Sequence, residues 1–325
     1  MLAYISAETR APQKTVLLPK PRGFCAGVIR AIDIVEIALK QLGAPVYVRK
    51  EIVHNRFVVD DLRAQGAVFV ESLEEVPDGA VTIFSAHGVA PEVRNEARAR
   101  RLRVIDATCP LVTKVHLEVI RYAREGYSVV LIGHENHDEV IGTFGEAPES
   151  IHVVSSLSDV DELKIADPAR VVYTTQTTLS LDDTRAIIER LKERFPFILS
   201  PPTSDICYAT QNRQDAVKQL AQRVELILVI GSRNSENSNQ LVKVGRALGK
   251  PSYLIDDHKQ IDPAWLKGIS RVGITSGASV PDRLVQAALD FFKQQGAQVE
   301  ELGLVEENIH FALPDETVLG PESSV

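Results

Sequence analysis

Three cysteines stand alone in a chain of 325 residues, Cys25, Cys109 and Cys207, 84 and 98 residues apart. They sit in the segments GFCAGVIRAIDIVEIAL, DATCPLVTKVHLEVIRYA and SDICYATQNRQDAVKQLA, each with helical apolar spacing after the cysteine. A thiol at a helix N-terminus meets unpaired backbone N–H groups and the positive end of the helix dipole, which predicts a lowered pKa and a thiolate. Three thiolates converging on one centre are a metal-ligand set with one ligand missing, and the missing ligand is where a substrate would go. Thiolates select zinc or iron–sulfur clusters. A structural zinc site normally closes with local C-x2-C pairs, absent here, and needs a fourth ligand, which a histidine could supply as Cys3His. A four-iron cluster on three cysteines would leave one iron open as a Lewis acid and electron conduit. Small buried cysteines with no chemistry are common in general; a shared place in a repeat argues against that reading.

The elements that must position these thiols recur in one order. After each cysteine helix comes a short β-branched run, VYVRK at 46–50, VVLIG at 129–133 and LILVIG at 226–231, then a polar loop, EIVHN, HENHDE or SRNSENSN. A second strand-like run follows, VTIFSAHG, RVVYTTQTT or RVGITSGAS, then a helix, of which SLDDTRAIIERLKERF is the clearest. Short continuous apolar strands alternating with helices predict parallel sheets covered on both faces. The chain therefore reads as α/β, with repeats over residues 14–103, 104–198 and 199–296 and a polar, acidic tail over 297–325 whose one strand-like patch is NIHFAL.

Ligands of open parallel sheets bind beyond the carboxyl ends of the strands. The first set of strand ends carries His54 and Asn55, then His134, His137 and Glu139, then Ser235 and Asn237. The second set carries His87, then Thr175 and Thr177, then Ser276 and Ser279. From cysteine to first loop the distance is 29 residues to His54, 28 to His137 and 30 to Asn237, which predicts that all six loops face one cavity. By the same count, Arg56 and Asn239 stand where the second repeat has Glu139. The SRNSENSN loop, ahead of a helical run beginning near Gln240, has hydroxyl and amide donors suited to an anion such as a phosphate ester. On its own such a loop reads as a turn and helix cap; beside equivalent histidine loops the anion reading is the better one.

Composition sets outer limits. A net charge of −8 and a pI near 5.6 argue against a nucleic-acid binder. No apolar run approaches the ~18 residues of a membrane span. The N-terminal MLAYISAETRAPQKT lacks signal-peptide features, so the cytoplasm is expected, and an odd number of distant cysteines fits a reducing compartment. Neither the G-x-G-x-x-G fingerprint nor a Walker motif occurs, and His134-Glu135-Asn136-His137 is one residue short of H-E-x-x-H.

PRGFCAGV, VHN at 53–55, FSAHGV, DATCPLVTKVH, GHENHDEV, TQTTLS, DICYATQNRQ, NSENSN and SGAS together resemble the LytB-type 4-hydroxy-3-methylbut-2-enyl diphosphate reductases, from about residue 15 to the helix after Ser279. The resemblance implies the last step of the non-mevalonate (MEP) isoprenoid route: reductive dehydroxylation of an allylic diphosphate to isopentenyl and dimethylallyl diphosphate with two electrons and two protons. It implies a trefoil of three pseudo-threefold-related α/β domains with small, mainly parallel sheets around one central [4Fe-4S] cluster per chain. Cys25, Cys109 and Cys207 match the cluster ligands, whose open iron takes the substrate hydroxyl. His54, His87 and His137 match the diphosphate-binding histidines, Glu139 the proton relay and Thr177 the active-site threonine. Ser235, Asn237 and Ser279 match the remaining diphosphate contacts. A one-electron donor such as ferredoxin or flavodoxin is implied as partner, with neither nucleic acid nor membrane. The chain departs from the family at Glu236, where a second serine is usual. A carboxylate aimed at a diphosphate would cost affinity, so its side chain is expected to point away and leave only its backbone N–H to the ligand. Two other classes share the cysteine pattern: an iron–sulfur hydro-lyase, distinguished by needing no reductant, and a non-catalytic redox sensor, which has no use for polar side chains at all six loops. The first 13 or so residues extend beyond the family's usual start and carry no motif.

Overall fold

A computed structural model describes residues 14–314. The N-terminal extension and the last part of the tail lie outside the described residues. The chain begins with β1 (Thr15–Lys20), α1 (Ala26–Leu42), β2 (Val46–Arg49), α2 (Arg56–Ala64), β3 (Ala67–Val70), β4 (Val81–Phe84), α3 (Pro91–Ala99) and β5 (Arg103–Asp106). It continues through α4 (Pro110–Arg124), β6 (Ser128–Ile132), α5 (Asp138–Gly145), β7 (Ile151–Val154), α6 (Leu157–Glu162), β8 (Val171–Thr175) and α7 (Leu181–Arg194). The last stretch runs α8 (Tyr208–Ala221), β9 (Leu226–Ile230), α9 (Glu236–Ala247), β10 (Ser252–Ile255), β11 (Arg271–Ser276), α10 (Asp282–Gln294) and β12 (Gln298–Gly303). Among the described residues no helix is long and apolar enough to cross a membrane.

Three parallel sheets result, ordered β3-β2-β4-β5, β7-β6-β8 and β10-β9-β11-β1-β12. β9 is apolar without interruption because both of its faces are covered. In β9, Leu226, Leu228 and Ile230 join the core that holds Ile274 and Phe292. The alternate residues Ile227 and Val229 join the one that holds Leu220 and Leu241. A polar residue on either face would be buried without a partner.

The sheets do not follow the linear division into three segments. β1, at the start of the first segment, lies between β11 and β12 of the third sheet, with Thr15 in register with both Arg271 and Gln298. Consecutive residues thus pass from the third sheet through α1 into the first. The tail also differs from expectation. Its strand is β12, paired with β1, whereas NIHFAL is irregular and is held by side-chain bonds to Glu307 and Ala312 O. α9 starts at Glu236, four residues before the expected Gln240, with Ser235 as its N-cap.

Candidate active site

Each cysteine is the N-cap of its helix, Cys25 of α1, Cys109 of α4 and Cys207 of α8. What holds them is a ring of backbone hydrogen bonds. The N–H of Cys109 donates to Ala86 O at 3.0 Å, that of Cys207 to Thr177 O at 3.0 Å and that of Cys25 to Ala278 O at 3.1 Å. The three acceptors are equivalent, each two residues past a strand end (β4, β8 and β11). First repeat grips second, second grips third, and third grips first. The thiols consequently open onto one cavity of about 110 Å³.

At Gly27, in the first turn of α1, a Cβ would stand 2.8 Å from Cys109 Sγ and 3.9 Å from Cys25 Sγ. The helix is bare where two sulfurs converge. Such a donor set, sulfur only and sheltered, fits a thiolate-bound metal or iron–sulfur cluster. The expectation of helix-lowered thiol pKa values fails for the protein alone. Burial pushes Cys109 up to about 12 and Cys207 up to about 11, against the hydrogen bonds from their helix N-termini. Desolvation of a thiolate outweighs the dipole here, so a bound cation is what would ionise these sulfurs.

All six strand-end loops reach the same cavity. His54, His87, His137, Glu139, Thr177, Ser235, Glu236, Asn237 and Ser279 line it with the cysteines. The three imidazoles form a cluster: His54 and His87 stack at 4.0 Å between centroids, and His137 meets them edge-on at 5.5 and 5.9 Å. His137 caps α5, its Nδ1 accepting the Glu139 N–H at 3.1 Å, so the neutral ring carries its proton on Nε2. His54 Nδ1 lies 3.3 Å from Glu51 Oε2, and His87 Nδ1 lies 3.2 Å from Ser85 Oγ. Burial first, then the neighbouring imidazoles, holds His87 well below the usual histidine range. The same causes push His137 down to about 4. An anion in the cavity would reverse both shifts by favouring the protonated rings.

Glu139 is fully inside, 3% exposed. Its Oε1 accepts the Thr177 N–H at 2.7 Å and its Oε2 the Thr177 hydroxyl at 2.9 Å, so the β8 loop fixes both oxygens. Burial nevertheless pushes its carboxyl up to about 7, the two Thr177 bonds pulling the other way. A buried carboxyl poised near neutrality can hold or release a proton in the working pH range.

The third repeat supplies small polar groups. Ser235 Oγ accepts from the Ser238 N–H at 3.3 Å. Asn237 is pinned by the Ala278 N–H on Oδ1 at 2.9 Å and donates to Thr210 Oγ1 at 3.2 Å, itself 3.2 Å from Cys207 Sγ. Ser279 donates to His54 O at 3.0 Å. The Glu236 carboxylate is engaged by His134 Nε2 at 3.3 Å, Lys243 Nζ at 3.7 Å and the Gln240 amide. Burial opposes its ionisation, yet the His134 bond and the charges of His134 and Lys243 hold it below the usual carboxylate range.

Helix caps correct the loop alignment. The equivalent caps are Asn55, His137 and Ser235, so the counterparts of Glu139, two residues on, are Phe57 and Asn237, not Arg56 and Asn239. Asn55, His134, Thr175 and Ser276 stay off the cavity wall: Asn55 caps α2, His134 pairs with Glu236, Thr175 bonds Gln176 O and Ser276 accepts the Gly23 N–H. Thr178, Tyr208, Thr210 and Phe311 join the lining unanticipated. The first three sit inside quoted motifs, while Phe311 belongs to the patch read as a strand. The tail is drawn in by Glu307, which accepts from Arg213 Nη1 and Asn212 Nδ2, each at 3.0 Å, and by Ala312 O, which accepts from Arg30 Nε at 2.8 Å.

A family model described as LytB protein matches residues 16–293. The 4-hydroxy-3-methylbut-2-enyl diphosphate reductase of Streptomyces coelicolor is 54% identical over 314 residues, covering 96% of this chain and 93% of the relative. That of Aromatoleum aromaticum is 56% identical over 304 residues, covering 93% and 97%. Among solved structures, the E-1-hydroxy-2-methyl-but-2-enyl-4-diphosphate reductase from Plasmodium falciparum matches at TM-score 0.92 and 40% identity over 94% of this chain and 98% of that one. A second (E)-4-hydroxy-3-methyl-but-2-enyl diphosphate reductase, titled the terminal enzyme of the non-mevalonate pathway, matches at TM-score 0.62 and 34% identity over 86% and 99%.

Proposed function

The chain belongs to the LytB family, and from that premise we propose how its residues carry out the reductive dehydroxylation of (E)-4-hydroxy-3-methylbut-2-enyl diphosphate. The reaction takes an allylic alcohol, two electrons and two protons to water plus isopentenyl or dimethylallyl diphosphate. Cys25, Cys109 and Cys207 would hold a [4Fe-4S] cluster, which when bound supplies single electrons and a Lewis-acidic iron.

The protein's own groups do the rest. His137 offers its Nε2–H to the diphosphate, and His54 and His87 offer theirs when the anion draws protons onto their rings, joined by Ser235, Asn237, Ser279 and the first N–H groups of α9. Glu139, in its acid form, gives the proton that turns the departing hydroxyl into water. Thr177 orients that carboxyl through two bonds and so keeps the proton aimed at the leaving oxygen. A second proton is needed on the carbon skeleton. Burial of the cavity wall strengthens each of these interactions and keeps bulk water from competing for them. A soluble one-electron donor such as ferredoxin or flavodoxin is the partner this chemistry calls for, and the cytoplasm is the compartment that suits it.

One observation carries the reading: a buried carboxyl with both oxygens fixed by Thr177 in a cavity walled by three sulfurs and three imidazoles. Anaerobic purification should yield about four irons and four sulfides per chain. Conversion of the substrate should require a one-electron reductant. Turnover without reductant would favour the hydro-lyase, and stoichiometric zinc without sulfide would remove the cluster altogether.

A further inference from the structure

We propose that His54, His87 and Asp138 form a binding site for a late transition-metal dication, of which zinc(II) is the probe of choice. One ligand atom of each residue lies within 4.8 Å of the others. A tetrahedral zinc with bonds of about 2.0–2.1 Å needs its donors about 3.3 Å apart, a gap that side-chain torsions of half-buried residues can close. The residues come from three different places, the loops after β2 and β4 and the first turn of α5.

Two features go beyond proximity. His54 Nδ1 faces the Glu51 carboxylate, which is itself fixed by Asn234 Nδ2 at 2.7 Å, and His87 Nδ1 faces Ser85 Oγ. Metal-binding histidines are oriented in this way, with the second nitrogen engaged by a carboxylate or another polar group. With Nδ1–H directed at Glu51, a neutral His54 keeps its lone pair on Nε2. His137 is the contrasting case: its Nδ1 is taken by the Glu139 N–H, so its Nε2 is a donor and cannot ligate. The cluster thus holds one imidazole suited to an anion and at least one suited to a cation.

Asp138 is the third ligand and has no role in the proposed reaction. Its nearest cation is Lys50 Nζ at 3.8 Å, which is bound more closely to Glu71 at 2.9 Å. A carboxylate so placed repels an anion and attracts a cation. Two imidazoles and one carboxylate suit zinc, cobalt, nickel or copper, whereas magnesium and calcium prefer oxygen donors. The ion would take the nitrogens that the diphosphate needs, so the two would compete. That corollary rests on the proposed function; the site itself does not.

The test uses the anaerobic holoenzyme with zinc chloride and a competing chelator, wild type against Asp138→Asn. Diffraction data at the zinc edge separate zinc from iron. Expected are an anomalous peak among His54, His87 and Asp138 and affinity weakened about tenfold or more in Asp138→Asn, with iron and sulfide content unchanged. Zinc should also raise the substrate KM without lowering kcat, and do so less in Asp138→Asn. Zinc found only at the cysteines or elsewhere on the surface, or bound equally by both proteins, overturns the site. A peak at the predicted place with no effect on KM keeps the site and removes the diphosphate assignment instead.

Discussion

At Glu139 two effects pull in opposite directions. Burial raises the carboxyl, two Thr177 donors lower it, and burial wins, leaving it at about 7. Since the protonated form is the donor, kcat should fall as pH rises through about 7, an alkaline limb belonging to this residue. Glu139→Gln keeps the shape but carries no acidic proton. It should lose about 10² to 10⁴ in kcat and the limb with it, while iron content and substrate binding persist. A pH profile of anaerobic turnover checks both, and near-normal rates would reduce Glu139 to a bystander. Glu236 calls for the opposite outcome. His134, Lys243 and Gln240 already occupy its carboxylate, so Glu236→Ser should change KM by less than about tenfold, ~1.4 kcal/mol. A much larger improvement would mean that the charge acts on the diphosphate.

Among the elements, α1 shows how helix geometry serves the sulfurs. Alanine is a better helix former than glycine by about 1 kcal/mol in a helix interior, a gain that Gly27→Ala would have to set against crowding of a sulfur. The added Cβ would stand 2.8 Å from Cys109 Sγ. Iron per chain should therefore drop, and the thermal melt of the apoprotein should not rise. Full iron loading would show that the sulfurs can move aside. The cysteine helices were readable because apolar periodicity starts within a turn of each thiol. The start of α9 was not, because its first turn is polar and the apolar stripe begins at Leu241. Ser235 followed by an acidic first residue is the cap signal that was available there.

On the scale of the whole molecule, Arg213 is a tie between distant parts of the chain. Its side chain is 0% exposed, and it bonds Gly23 O at 2.7 Å, Ala209 O at 3.0 Å and the Glu307 carboxylate at 3.0 Å. It thereby joins α8, the loop before Cys25 and the tail that carries Phe311. Removing the carboxylate would leave a buried guanidinium without its counter-charge, typically a loss of about 3 to 5 kcal/mol. Glu307→Ala should therefore lower the melting temperature clearly. Asp182→Ala, which breaks the exposed pairs to Lys218 and Arg185, should cost no more than about 1 kcal/mol. Equal shifts in calorimetry would show that the tail adds little to stability.

Composition and pattern alone determined the α/β class, the strands on either side of each polar loop and the three helix-opening cysteines, because periodicity and capping act over a few residues. Gathering His54, His87, His137, Glu139 and Thr177 around the same cavity as the sulfurs was inferable only through the repeat and the family resemblance. Tertiary structure decided what depends on distant partners. β1 crosses to the third sheet because strand pairing carries no label in the local sequence, and the tail's strand is β12 and not NIHFAL. Thiol pKa values rose instead of falling because desolvation is set by everything packed around a group, not by the helix it begins. Phe311 reached the cavity through Arg213 and Glu307, residues 94 positions apart whose attraction no short window of sequence contains.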